Sequence, residues 1–176
     1  YNNTLNLSYD GGRLNTVVDN LGVAGRTGLT FGYWGSTSHI KTVTDWTGRA
    51  WSFTYDNPDG SGNLRSVTNA MGPSYTTSYT YKPNTHLLET VALPEIRYEN
   101  KPVQMTYKYY RDNKAFTYYD TYGAGDTLDY DLYRQRTQVT DARGHVRHYS
   151  YDTTNGALTQ LEEPDGAILR FANTAD

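Results

Sequence analysis

The 176-residue chain has no cysteine, which excludes a disulfide framework and any thiolate metal site or nucleophile. It has no basic excess either. Sixteen Lys and Arg stand against nineteen Asp and Glu, for a net charge of -3 and a sequence pI near 5.8. Phosphate-driven nucleic-acid binding therefore has no source here. No apolar run approaches the roughly 20 residues that a membrane-spanning helix needs. A secretory leader is also missing, and Tyr1 reads as the middle of a strand, so a leader would lie upstream. No stretch shows a sustained helical period with caps. Hydrophobic residues make up only 36% and the mean hydropathy is -0.77, too little for a thick apolar core. Disorder is excluded as well, because charged residues are only 20% and aromatic residues reach 14%.

What the chain does have is tyrosine, 18 of them against 4 Phe, a residue that packs its ring while its hydroxyl keeps a polar partner. It also has repeats. Apolar residues three apart recur at Leu14/Val17, Ile40/Val43, Leu64/Val67, Leu88/Val91 and Leu158/Leu161. The first four pairs are spaced by about two dozen residues, within the range of solenoids and arrays. The interval from Val91 to Val139 is twice that step, which places one degenerate repeat between them. Large residues alternate ahead of each pair, at Leu5/Leu7/Tyr9, Leu29/Phe31/Tyr33, Trp51/Phe53/Tyr55, Tyr79/Tyr81 and Tyr149/Tyr151. Period two puts them on one face of a strand. Two strands and two turns fill one repeat. Gly and Asn punctuate it at Asp10–Arg13, Asn57–Asn63 and Thr154–Gly156, with further turns at Asp45–Gly48 and Asp141–Gly144. The reading is an all-β array of antiparallel hairpins. Leu and Val three apart would face opposite ways in a regular strand, so a bulge or bend is expected within each pair.

These residues resemble the YD repeat of the RHS family, whose loose pattern runs Tyr-Asp-x-x-Gly-Arg-Leu-x-x-Val-x-Asp. The best match is Tyr9, Asp10, Gly11, Gly12, Arg13 and Leu14 through Val17 to Asp19. Tyr55-Asp56 through Leu64, Val67 and Asn69 repeats it with a longer turn. Val139 to Gly144, followed by Tyr151-Asp152, Gly156, Leu158 and Leu161, repeats it again. On this reading residues 1–176 form a single YD-repeat segment. The repeats are clear over 1–91 and 136–176, and a degenerate repeat with an insertion fills 92–135. The resemblance implies a curved or spiralling sheet in the wall of a hollow shell. Shells of this kind enclose a toxic C-terminal cargo in bacterial polymorphic toxins, and related repeats occur in Tc-toxin and teneurin proteins. It implies a structural scaffold, not an enzyme, in a secreted or cell-surface bacterial protein whose partners are the rest of its own chain and the cargo. The family's self-cleavage signature resembles Asp-Pro-x-Gly-Leu; Glu163-Pro164-Asp165-Gly166 does not match it, so cleavage is not carried over.

Other constellations compete with this reading. Trp34, Trp46 and Trp51 could stack on sugar faces, which makes a carbohydrate-binding surface module the alternative function and a glycan the alternative partner. A small secreted β-enzyme ranks third. Glu162 and Glu163 are adjacent and diverge in a strand, whereas paired glycosidase carboxylates must face one substrate. His145 and His148, three apart, point to opposite faces and have no third ligand, so no metal or other cofactor is expected. The Asp56–Asn63 turn is reminiscent of a calcium loop but lacks a closing Glu. Asp10, Asp56 and Asp152 are expected to accept hydrogen bonds from turn amides. A short array exposes unpaired edges, so self-association through strand edges is expected too.

Overall fold

A computed structural model describes residues 4–20, 28–57, 59–94 and 103–172. The position assigned to Tyr1, Pro58 of the long turn and part of the insertion in 92–135 lie outside them. The chain falls into two compact units, Tyr1–Val103 and Gln104–Asp176. The described strands of the first are β1 (Leu5–Asp10), β2 (Arg13–Asp19), β3 (Leu29–Tyr33), β4 (Ile40–Thr44), β5 (Ala50–Tyr55), β6 (Leu64–Thr68), β7 (Thr76–Tyr81) and β8 (Leu88–Ala92). Those of the second are β9 (Gln104–Tyr109), β10 (Ala115–Tyr119), β11 (Gly125–Asp131), β12 (Arg136–Thr140), β13 (Val146–Tyr151), β14 (Leu158–Glu162) and β15 (Ile168–Arg170). A single 3-10 turn at Pro73–Tyr75 is the only helical element among the described residues. Within each unit every strand pairs antiparallel with its neighbours in sequence, so the fold is an all-β hairpin array.

The expected bulge is present, and it recurs at one place in the repeat. Tyr9 faces Leu14 while Ser8 faces Thr16, which leaves Asn15 as the extra residue. Tyr33 and Ile40, Tyr55 and Leu64, Tyr81 and Leu88, and Tyr151 and Leu158 repeat this register, with Lys41, Arg65, Glu89 and Thr159 as the extra residues. Because the bulge absorbs one position, Leu and Val three apart return to the same face. That face carries Leu7 against Val17, Phe31 against Val43, Phe53 against Val67 and Tyr79 against Val91. The β9–β10 hairpin carries the same device in altered residues, with Ala115 opposite Tyr109, Tyr118 opposite Tyr107 and Phe116 as the extra residue.

The opposite face is held by hydroxyl pairs. Ser8 and Thr16, Thr54 and Ser66, and Thr80 and Thr90 each approach to 2.6 Å across their hairpins. Gly32 takes this place opposite Thr42 in the β3–β4 hairpin, where an added Cβ would come within 2.5 Å of the Thr42 hydroxyl.

Among the described residues neither unit has a second layer. No hydrophobic side chain among them is fully buried, and the one buried polar residue is Asp45, at 6% exposure. The chain presents 12478 Å² of accessible surface, whereas two compact bodies of half its mass would together present about 10,000 Å². Among the described residues the tyrosine-rich face of each unit is half-buried by neighbours within its own sheet.

Candidate functional site

Two kinds of turn alternate along the array, and each has its own chemistry. At one end lie the turns that follow the Tyr-Asp position. Asp10–Arg13 closes with Gly11 and Gly12 at φ +54° and +79°, the pair of positive values that a two-residue hairpin turn requires. Asp56 accepts the Asn63 backbone N–H at 3.1 Å and pairs with the Arg65 guanidinium at 3.2 Å. Asp152 accepts from the backbone N–H of Thr154 at 2.7 Å and of Asn155 at 3.2 Å, and these bonds hold its carboxyl below the usual range. Gly156 closes that turn by donating to the Asp152 carbonyl. Asp10 makes no such side-chain bond among the described residues. Within the Asn57–Asn63 loop Asp59 accepts the Ser61 N–H at 2.9 Å, and Asn57 donates to the Ser61 hydroxyl. Its oxygens are thus engaged by turn groups.

At the other end Asp45, Asp120 and Asp141 build the same three-residue loop three times. Each accepts two backbone N–H groups on Oδ1, from Thr47 and Arg49, Tyr122 and Ala124, and Arg143 and His145. The residue three positions on is Gly48, Gly123 or Gly144, and each donates to the aspartate's own carbonyl. Asp45 goes furthest. The Thr47 hydroxyl donates to it at 2.6 Å and the Arg49 guanidinium at 2.8 Å, and together with the turn amides they outweigh the cost of burial and hold the carboxyl at about 2.

The repeated tyrosine acts between hairpins. Tyr33 donates its hydroxyl to the Leu14 carbonyl at 2.7 Å, and Tyr55 donates to the Ile40 carbonyl at 3.1 Å. Leu14 and Ile40 sit at the bulge of the preceding hairpin, where an interrupted ladder needs other partners for its backbone groups. Phenylalanine could not supply that hydroxyl. Sequence reasoning missed this bond because its partners lie 19 and 15 residues apart. It also missed Tyr118, whose hydroxyl donates to Asp126 at 2.5 Å and is pushed up to about 12, first by that bond and then by burial.

The three tryptophans are not brought together. Trp34 and Trp46 lie in turns at opposite ends of β4, while Trp51 stands in β5 opposite Val43. Trp34 donates its indole N–H to the Phe53 carbonyl at 3.1 Å and carries the Lys41 ammonium 4.7 Å above its ring. Gly60 lies so close to that indole that a Cβ would fall 2.1 Å from it. Trp46 is 44% exposed in the Asp45 turn. The remaining candidates are also separated. Glu162 faces His148 at 3.4 Å, Glu163 pairs with Arg147 at 2.8 Å, and His145 pairs with Asp141 at 3.1 Å.

No family model matches the chain, and no curated protein matches it. Among solved structures it is similar to a chain in the crystal structure of TcdB2-TccC3-Cdc42, at 12% identity and a TM-score of 0.29. That match covers 98% of this chain and 13% of the other, so the chain spans about an eighth of that protein's length.

Proposed function

We propose that this chain is a structural segment of a larger YD-repeat wall, a scaffold in a secreted or cell-surface bacterial protein that encloses a toxin or other cargo. One observation carries the reading: each unit is a single antiparallel layer, and among its described residues no second layer covers the tyrosine-rich face. A sheet of that kind suits a wall with different media on its two sides. Its repeated polar residues support the same view, because Asp45, Asp120, Asp141 and Asp152 spend their carboxylates on turn amides and not on a common cleft.

Electron cryomicroscopy of the full-length protein that carries this segment tests the proposal. The expected result is a hollow shell with these hairpins in its wall and an enclosed segment resistant to added protease. A solid, conventionally packed domain would overturn it. So would a reproducible ligand on a glycan array whose binding is lost in Trp46→Ala.

A further inference from the structure

Near-identical hairpins in one chain face a danger that unlike elements do not. Any hairpin could pair with the wrong successor and still match apolar to apolar. Misassembly of this kind is a characteristic failure of repeat proteins, and avoiding it calls for features that reject wrong neighbours as well as attract right ones.

One position of the repeat meets that need, the residue just before the bulge Leu, Ile or Ala. Arg13 occupies it in the β1–β2 hairpin. Its Nη1 donates to the Gly35 and Thr37 carbonyls, both at 2.9 Å, and its guanidinium lies 4.9 Å over the Tyr33 ring. His39 occupies it next and meets the Tyr55 ring edge-on at 4.8 Å. Asn63 follows, donating to the Thr85 carbonyl at 3.3 Å and meeting the His86 imidazole at 2.6 Å. Lys114 holds the place in β9–β10 and lies 5.5 Å over the Tyr130 ring. In each case the partner belongs to the next hairpin, 16 to 24 residues on. All four side chains are half-buried although they stand beside exposed turn residues. Clefts open at the same place, between Arg13 and Tyr33, between Asn63 and His86, and between Lys114 and Tyr130. Even the β11–β12 hairpin, which lacks the bulge, reaches its successor here, through the Gln135 carbonyl and the Tyr151 N–H at 2.9 Å.

We infer that at these four joints the residue before the bulge keys a hairpin to its successor. Leu87 and Ala157, which hold the position in the β7–β8 and β13–β14 hairpins, are apolar and supply no such key. The chemistry differs among these four joints: a guanidinium on two carbonyls, an imidazole on a phenol ring, an amide on an imidazole, an ammonium on a phenol ring. Arg13 in place of Asn63 would meet the His86 imidazole in place of the Gly35 and Thr37 carbonyls, and Asn63 in place of Arg13 would leave those carbonyls unpaired. The key therefore selects hairpin order as well as holding neighbours together. The inference rests on the array geometry and stands whether or not the array lines a shell.

Hydrogen exchange on the 176-residue chain tests it. In Asn63→Ala, amides of the following turn, Lys82–Leu87, should exchange about three- to tenfold faster, the loss of roughly one hydrogen bond. The turn at Asn57–Ser61, close to the substitution in sequence, should stay unchanged. The exchange variant Arg13→Asn with Asn63→Arg keeps composition constant and should refold in lower yield, or to more than one species, than the double variant Arg13→Ala with Asn63→Ala. Acceleration confined to the mutated hairpin's own turn, or equal refolding of the exchange and alanine variants, overturns the inference. A double-mutant cycle of Lys114→Ala and Tyr130→Leu gives a third measure, with coupling expected and strict additivity contradicting it.

Discussion

Asp45 shows how one side chain can make a turn obligatory. Two backbone N–H groups, a hydroxyl and a guanidinium all converge on a carboxylate that is the one buried polar side chain among the described residues. Those donors favour the charged form, so its folded-state value of about 2 lies below the ordinary value of 3.8. Linkage fixes the direction of the consequence. A carboxyl with a depressed value contributes stability that is complete above about pH 4 and drains away as the pH falls toward 2. Asp141 and Asp152 are lowered in the same direction by their own turn amides and add to the same acid limb. Thermal melts of the parent chain between pH 5 and pH 2 should show a falling midpoint. Asp45→Asn should start lower and fall less steeply over that interval. Parallel slopes would show that the carboxylate's charge contributes nothing.

The bulged hairpin is the unit of construction, and its parts differ in how readable they are. Alternation placed the Leu, Phe and Tyr triplets on one face, and the three-residue spacing of Leu14/Val17 demanded a bulge because regular strands alternate. The Arg111–Lys114 turn between Tyr-rich strands was legible, but the bulge of the β9–β10 hairpin escaped that reasoning. Ala115 is too small to carry an apolar signal, and the conspicuous Phe116 occupies the bulge in place of the face. Leu88 and Glu89 test the device directly, since Leu88 faces Tyr81 while Glu89 is the exposed extra residue. Deleting Glu89 leaves Leu88 and Val91 two apart in a regular strand, still on one face, and should be tolerated. Exchanging the two residues, Leu88→Glu with Glu89→Leu, presents a charge to Tyr81. That variant should lose about 1–2 kcal/mol, somewhat less than a fully buried leucine is worth. Denaturant titration that ranks the deletion as the more damaging would refute this account of the bulge.

Across the whole chain, what stayed hidden in the sequence is what joins one hairpin to another. The Tyr33 and Tyr55 hydroxyl bonds, the Arg13 contacts and the Trp34 contact with Gly60 all span 15 to 26 residues, and no local pattern reports a partner at that distance. The edges follow from the pairing itself. β15 is three residues long and carries Arg170, the kind of short, charged strand that discourages pairing. β1 has neither protection. It runs six residues, Leu-Asn-Leu-Ser-Tyr-Asp, with one charge at its end, and β2 is its only partner among the described residues. Leu5, Leu7 and Tyr9 are 65%, 50% and 63% exposed along it. A two-fold axis perpendicular to the sheet at Leu7 would pair β1 with its own copy, keep both apolar faces on one side and set Leu5 opposite Tyr9. The isolated chain should therefore associate with increasing concentration. Leu7→Lys places a charge at the centre of that strand, where the copy's lysine would stand opposite it, and should return the chain to a monomer without unfolding it. Light scattering across a concentration series, with circular dichroism to confirm the fold, reads both effects. A parent chain that stays monomeric at the highest concentration, or a lysine variant that associates equally well, would exclude β1 as the pairing edge.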